Sequence, residues 1–71
     1  MKLGNNLRRF RFEMNEMTQE ELAKEVGVTR QTIISIEKNR YVPSALLALK
    51  LAKFLGRRFE DVFYLIEEND R

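Results

Sequence analysis

The stretch TQEELAKEVGVTRQTIISIEKN, Thr18 to Asn39, reads as two short helices joined by a tight corner. Thr18 is a good N-cap, and Glu21 three residues on completes the pattern of a capping box. Leu22, Ala23 and Val26 fall on one face of the first helix. Gly27 stands where that helix must stop and the chain must turn, and glycine tolerates the positive φ that such a corner needs. Thr29 caps the second helix, whose apolar contacts are Ile33 and Ile36. The opposite face carries Arg30, Gln31, Ser35 and Lys38. A helix with donors of this kind left free, braced at an angle by a short partner, has the form that a DNA major groove accepts.

Working outward, the flanks predict further helices and a strand pair. Toward the N-terminus, Asn5 or Asn6 caps a helix with Leu7, Phe10 and Met14 on one face. Phe12 lies off that face, either over a neighbouring helix or in solvent. Past Asn39, Arg40-Tyr41-Val42-Pro43 is a loop, because proline stops a helix and biases Val42 to extended geometry. Ser44 caps a helix that runs to Leu55, with Leu47, Ala48, Leu51, Ala52 and Leu55 as its buried stripe and Gly56 as its end. A short helix follows, about Phe59 to Phe63. Arg58 caps it poorly, and Glu60 and Asp61 in its first turn favour the helix dipole. Phe63-Tyr64-Leu65-Ile66 is aromatic and branched and reads as a strand, with Lys2-Leu3 as its available partner.

Composition narrows the function classes. A chain of 71 residues has room for one domain and one small core. With 44% hydrophobic and 34% charged residues it suits a folded domain better than a disordered one. No apolar run approaches the roughly 18 residues of a membrane span, and the start lacks the apolar core of a signal peptide, so a cytoplasmic protein is expected. Cysteine and histidine are both absent, which excludes disulfides, the usual zinc sites and two of the commonest catalytic side chains. The net charge is only +2, but its distribution is uneven. Arg8, Arg9 and Arg11 cluster early, and Arg30, Lys38 and Arg40 surround the second helix of the pair. From Glu60 on the chain is acidic, with Glu60, Asp61, Glu67, Glu68 and Asp70 against Arg71. A basic front and an acidic rear orient a small protein toward a polyanion.

The run TQEELAKEVGVTRQTIISIEKNRYVPS, followed by ALKLAKFLG and EDVF, resembles the Cro/repressor (XRE) family of helix-turn-helix regulators over about Asn5 to Phe63. Within it the chain is most similar to the small cytolysin-repressor-like members, which are little more than one DNA-binding domain. The resemblance implies an all-α, five-helix lambda-repressor-like domain over residues 1–71, with the helix-turn-helix at about 18–39. It also implies a two-stranded antiparallel ribbon from the terminal segments. Arg11 matches an arginine that pairs with a glutamate on the reading helix, here Glu37, and such a semi-buried pair fixes geometry more surely than it adds stability. Asn15-Glu16-Met17 departs from the family pattern by one extra residue, which is expected to bulge without moving the corner. Leu46 stands where relatives are commonly polar, a candidate partner contact.

The resemblance and the chemistry of the residues then divide the site. Arg30, Gln31 and Ser35 are the candidate base readers, since arginine can donate twice to guanine and glutamine can pair both ways with adenine. Gln19, Thr32, Lys38, Asn39, Arg40 and Tyr41 are the phosphate candidates, Gln19 together with the free N–H groups of its helix start. Alternatives stand beside several of these. Arg30 could reach a phosphate instead, Thr32 could pack beside the turn, Asn39 could be a helix C-cap, Tyr41 could pack under its loop, and Gln19 could be only a first-turn residue. Ile34 lies on the exposed side, against a thymine methyl or simply in solvent.

One such module touches few base pairs, and this fold usually binds as a dimer on half-sites roughly 34 Å apart. Phe59, Val62, Phe63, Leu65 and Ile66, within a segment at about 58–68, are the expected homodimer contacts; the alternative is that the last helix merely closes the core. The expected partners are double-stranded DNA and a second copy, with no membrane, no cofactor, no metal and no small-molecule ligand. The reading is thus a sequence-specific regulator, a repressor on a palindromic operator, and not an enzyme. An antitoxin-like protein-interaction module is the competing reading.

Overall fold

The computed structural model describes residues 1–68; Asp70 and Arg71 of the acidic tail lie outside them. The elements run in the order β1 (Lys2–Asn5), α1 (Leu7–Glu13), α2 (Gln19–Val26), α3 (Arg30–Glu37), α4 (Ala45–Leu55), α5 (Phe59–Val62) and β2 (Phe63–Ile66). The ends of the helices follow from side chains that satisfy otherwise orphaned backbone groups. Thr18 Oγ1 accepts from Glu21 N–H at 3.0 Å while Glu21 Oε1 accepts from Thr18 N–H at 2.8 Å, a complete capping box. Thr29 and Ser44 cap α3 and α4 in the same way, accepting from Thr32 and Leu47 N–H. Gly27 ends α2 at φ +79°, the left-handed corner expected of it. Arg58 gives α5 no side-chain cap. Instead the Glu60 carboxyl is held below its ordinary range, first by a backbone hydrogen bond to its own residue and then by Arg58.

The core forms where these helices meet. Leu7, Leu22, Ile33, Ile36, Leu51 and Val62 are its most enclosed side chains, and all five residues of the expected α4 stripe are buried. α2 packs on α3 and α4, α4 on α5, and α5 on β2. Burial of this apolar surface, at about 25 cal/mol per Å², is what holds so short a set of helices in place.

The chain's two ends close the structure. β1 and β2 pair antiparallel in the register Lys2↔Ile66, Leu3↔Leu65, Gly4↔Tyr64, Asn5↔Phe63. The ribbon is continuous with the helices, because Asn6 N–H donates to Val62 O at 2.9 Å and Asn6 Nδ2 to Asp61 O at 3.0 Å. Arg57 joins the end of α4 to α1 by reaching Glu13 at 2.6 Å and covering the Phe10 ring at 4.4 Å.

Two expectations need correction, and one open alternative is settled. Met14 is exposed, because α1 ends at Glu13, one residue before the third position of the apolar stripe. The cap of α1 is shared: Asn6 holds the cap position without a capping bond, and Asn5 Oδ1 takes the Leu7 N–H at 3.1 Å. Val62 and Phe63, expected at a subunit contact, are 0% and 4% exposed inside the monomer core. The step from α5 straight into β2 buries both of them in the core, so neither has surface left for a partner.

The Asn15-Glu16-Met17 segment between α1 and α2 does bulge. Asn15 and Glu16 both adopt positive φ, 60° and 56°. The loop curls back so that Glu16 N–H reaches Phe12 O at 2.9 Å and Met17 N–H reaches Arg11 O at 3.0 Å.

Candidate nucleic-acid interface

α3 is held by an ion pair at its C-terminal end and a cap at its N-terminal end. Arg11 Nε donates to Glu37 Oε2 at 2.7 Å and Arg11 Nη2 to Glu37 Oε1 at 3.1 Å, a fork on both carboxylate oxygens. Arg11 Nη1 also donates to Met17 O at 2.6 Å, so one guanidinium clasps α1, the loop and α3. The resemblance implied this pair, and the structure contains it. The helix ends in a Schellman turn, with Asn39 N–H on Ile36 O and Arg40 N–H on Ser35 O, both at 2.9 Å. Asn39 takes the left-handed position of that turn at φ +60°, which asparagine tolerates better than most residues.

With its apolar stripe of Ile33 and Ile36 fully inside, α3 turns its other side out. Arg30 and Gln31 are exposed and Ser35 is half-buried. Gln31 and Ser35 line one shallow groove of about 260 Å³ with Thr29, Thr32 and Tyr41. Tyr41 is therefore a wall of that groove and is not tucked beneath its loop. Thr32 touches both alternatives, with its hydroxyl 3.0 Å from that of Thr29 beside the turn and one side in the groove. Lys38, Asn39 and Arg40 are exposed at the far end.

Gln19 has a structural partner as well. Its Nε2 donates to Glu37 Oε1 at 3.1 Å, so the side chain braces α2 against α3, and one amide hydrogen is left over on the cleft side. What remains nearby is a cleft of about 510 Å³ lined by Arg8, Arg11, Thr18, Gln19, Glu37 and Lys38. Arg8 and Lys38 face it without a carboxylate partner among the described residues, beside the N-terminus of α2. Arg8 belongs with the phosphate candidates on this geometry. In the sequence it was only one member of an arginine run, and nothing there separates it from Arg9, which is spent on Glu13 at 3.2 Å.

The charge at the start of α3 points outward too. α2 and α5 carry acids in their first turns, whereas α3 has none and begins with Arg30. A cation there opposes the helix dipole and has no carboxylate partner among the described residues. Among the described residues no cluster of acids could hold a metal ion, and no helix is long and apolar enough to cross a membrane.

Comparison with known proteins agrees with this geometry. A family model described as Helix-turn-helix matches residues 7–62. An uncharacterised HTH-type transcriptional regulator of Methanocaldococcus jannaschii is 53% identical over 68 residues, 96% of this chain and 98% of that protein. Another, of Bacillus subtilis, is 60% identical over 52 residues, 73% of this chain and 79% of its own. Among solved structures, the restriction-modification controller protein C.AhdI from Aeromonas hydrophila superposes with a TM-score of 0.69 at 28% identity, covering 79% of this chain and 80% of that one.

Proposed function

The chain belongs to the XRE-type helix-turn-helix family, and from that membership we propose that it represses transcription by binding a two-fold-symmetric operator as a homodimer. It is a DNA-binding regulator of the non-enzymatic kind that this family comprises. In the proposed complex α3 enters the major groove. Gln31 and Ser35 read base edges, and Arg30 reads a guanine edge or grips the flanking phosphate. Lys38, Asn39, Arg40 and Tyr41 hold the backbone on one side, and Arg8 with the start of α2 holds it on the other. Thr32 supports the groove between them.

The observation that carries this reading is the outward placement of Arg30, Gln31 and Ser35 on a helix whose other face is locked by Ile33, Ile36 and the Arg11–Glu37 fork. Readers held on a rigid element can discriminate among bases, because misplacement by an ångström forfeits a bidentate contact. The homodimer is supported by apolar surface that the core leaves out: Phe59 at 42% and Leu65 at 67% exposed, with Tyr64 and Ile66 beside them on the ribbon. Two copies joined there would place two α3 helices on one duplex, and a dimer so seated over a promoter excludes polymerase by occupancy.

Selection of bound sites from a pool of random duplexes tests the reading. The expected product is an inverted repeat whose half-sites are centred about one helical turn, roughly 34 Å, apart. Enrichment of no sequence at all, or of a single unrepeated half-site, counts against it.

A further inference from the structure

Asn5 decides which end of the Asn39 side chain faces outward. It is the last residue of β1, paired with Phe63, and its amide touches three other groups. Asn5 Oδ1 accepts from the Leu7 N–H at 3.1 Å, and Asn5 Nδ2 donates to Ile36 O at 2.8 Å. A backbone N–H can only donate and a carbonyl can only accept, so these two contacts define the orientation of the Asn5 amide. The second hydrogen on Nδ2 points at Asn39, 3.1 Å away. Asn39 must answer with Oδ1. Its own Nδ2 is thereby turned away from the protein and has no partner among the described residues. Asn39 is exposed, between Lys38 and Arg40, where the backbone leaves α3.

We propose that Asn5 is a positioning residue for DNA binding, acting through Asn39: it holds the Asn39 amide so that its NH₂ group, and not its oxygen, meets a backbone phosphate. The proposal rests on the DNA reading above. An unrestrained asparagine presents either end, and the oxygen end repels a phosphate. Asn5 removes that choice before DNA arrives. Because Asn5 lies in β1, the terminal ribbon contributes to the DNA-facing surface as well as to the closure of the chain.

The test is a set of affinities for the selected duplex at one salt concentration, each variant first shown to be folded by its thermal melt. Asn39→Ala is expected to weaken binding about three- to tenfold, the size of one net hydrogen bond. Asn5→Ala costs a similar factor, and Asn5→Ala adds nothing further when Asn39 is already alanine. Asn5→Asp is worse than Asn5→Ala, since an aspartate has only acceptors, draws the Asn39 NH₂ inward and leaves its oxygen toward the phosphate. That difference shrinks in the Asn39→Ala background to what the added charge alone costs, whereas a merely structural or charge effect of Asp at this position would be the same in both backgrounds. In the DNA-free protein, the Asn5 side-chain amide protons exchange slowly with water and those of Asn39 rapidly. Additive losses, an Asp penalty undiminished without Asn39, or protected Asn39 amide protons overturn the proposal while leaving the DNA reading intact. A wild-type chain that binds no duplex overturns the DNA reading, and this proposal with it.

Discussion

Glu37 serves three donors at once: Arg11 Nε and Nη2 and the Gln19 amide. The Arg11 and Glu37 side chains are only 13% and 8% exposed, so desolvation offsets much of their attraction. The pair's worth lies in geometry, and it is revealed by breaking it. Glu37→Ala is expected to cost about 3 kcal/mol in urea unfolding, since it strands a nearly buried guanidinium, whereas Arg11→Met with Glu37→Leu stays close to wild-type stability. An equal loss in the single and the double variant would mean that the pair is simply a strong bond. The outward residues obey different rules. Gln31→Ala should relax discrimination at one base position, at a cost of about 1–3 kcal/mol against the preferred site. Lys38→Ala should weaken binding to all sequences alike and reduce the salt slope by about 0.9 for one lost phosphate contact. Competition assays over single-base operator variants and a salt titration separate the two, and a uniform loss for Gln31→Ala would remove it from the readers. The Gln19–Glu37 contact was not legible in the sequence for a residue-scale reason: an amide at a helix start suits a phosphate and a carboxylate equally well, and only the fold brings Glu37 within its reach.

Among the elements, the helices were legible because their signals are local. Thr18, Thr29 and Ser44 cap within three residues, and the α4 stripe repeats at helical spacing. The ribbon was legible only as a pairing of two apolar ends, and its register was not. The register turns on Gly4, which lies under the Tyr64 ring: a Cβ there would stand 2.6 Å from Tyr64 Cε1 and 2.7 Å from Ile66 Cδ1. Gly4→Ala must displace both the tyrosine ring and the end of Ile66 and is expected to destabilise the protein by about 1–3 kcal/mol. Thermal melting checks this, with Tyr64→Ala as the control: once the ring is gone, only the Ile66 Cδ1 methyl has to give, and the cost of Gly4→Ala should fall. Full cost in that background would place the clash elsewhere. The end of α1 was overrun in the sequence reading because Met14 keeps the apolar spacing. The left-handed Asn15–Glu16 pair that stops the helix carries no glycine to announce it.

For the whole molecule, the division between core and partner surface is decided by packing. Phe59, Val62, Phe63, Leu65 and Ile66 look alike in sequence, yet Val62 and Phe63 close the core while Phe59 and Leu65 face out. Leu65→Lys is therefore expected to shift the proposed dimer to monomer in sedimentation while the helical circular dichroism is kept. Val62→Ala leaves a cavity and costs about 2 kcal/mol of stability. A Leu65→Lys protein that sediments unchanged would move the self-association surface off the ribbon, toward the exposed Leu46 and Leu49 of α4. Caps, corner glycine, apolar spacing and a polar outer face are interactions between near neighbours in the chain, so the sequence by itself determined the helix-turn-helix and the side that Arg30, Gln31 and Ser35 occupy. The bonds from Asn5 to Ile36 and Asn39 span more than thirty residues, and the choice of Val62 over Leu65 for the interior is likewise made by packing between elements. Only the tertiary structure decided those, because no short-range pattern tells a side chain which distant partner will satisfy it.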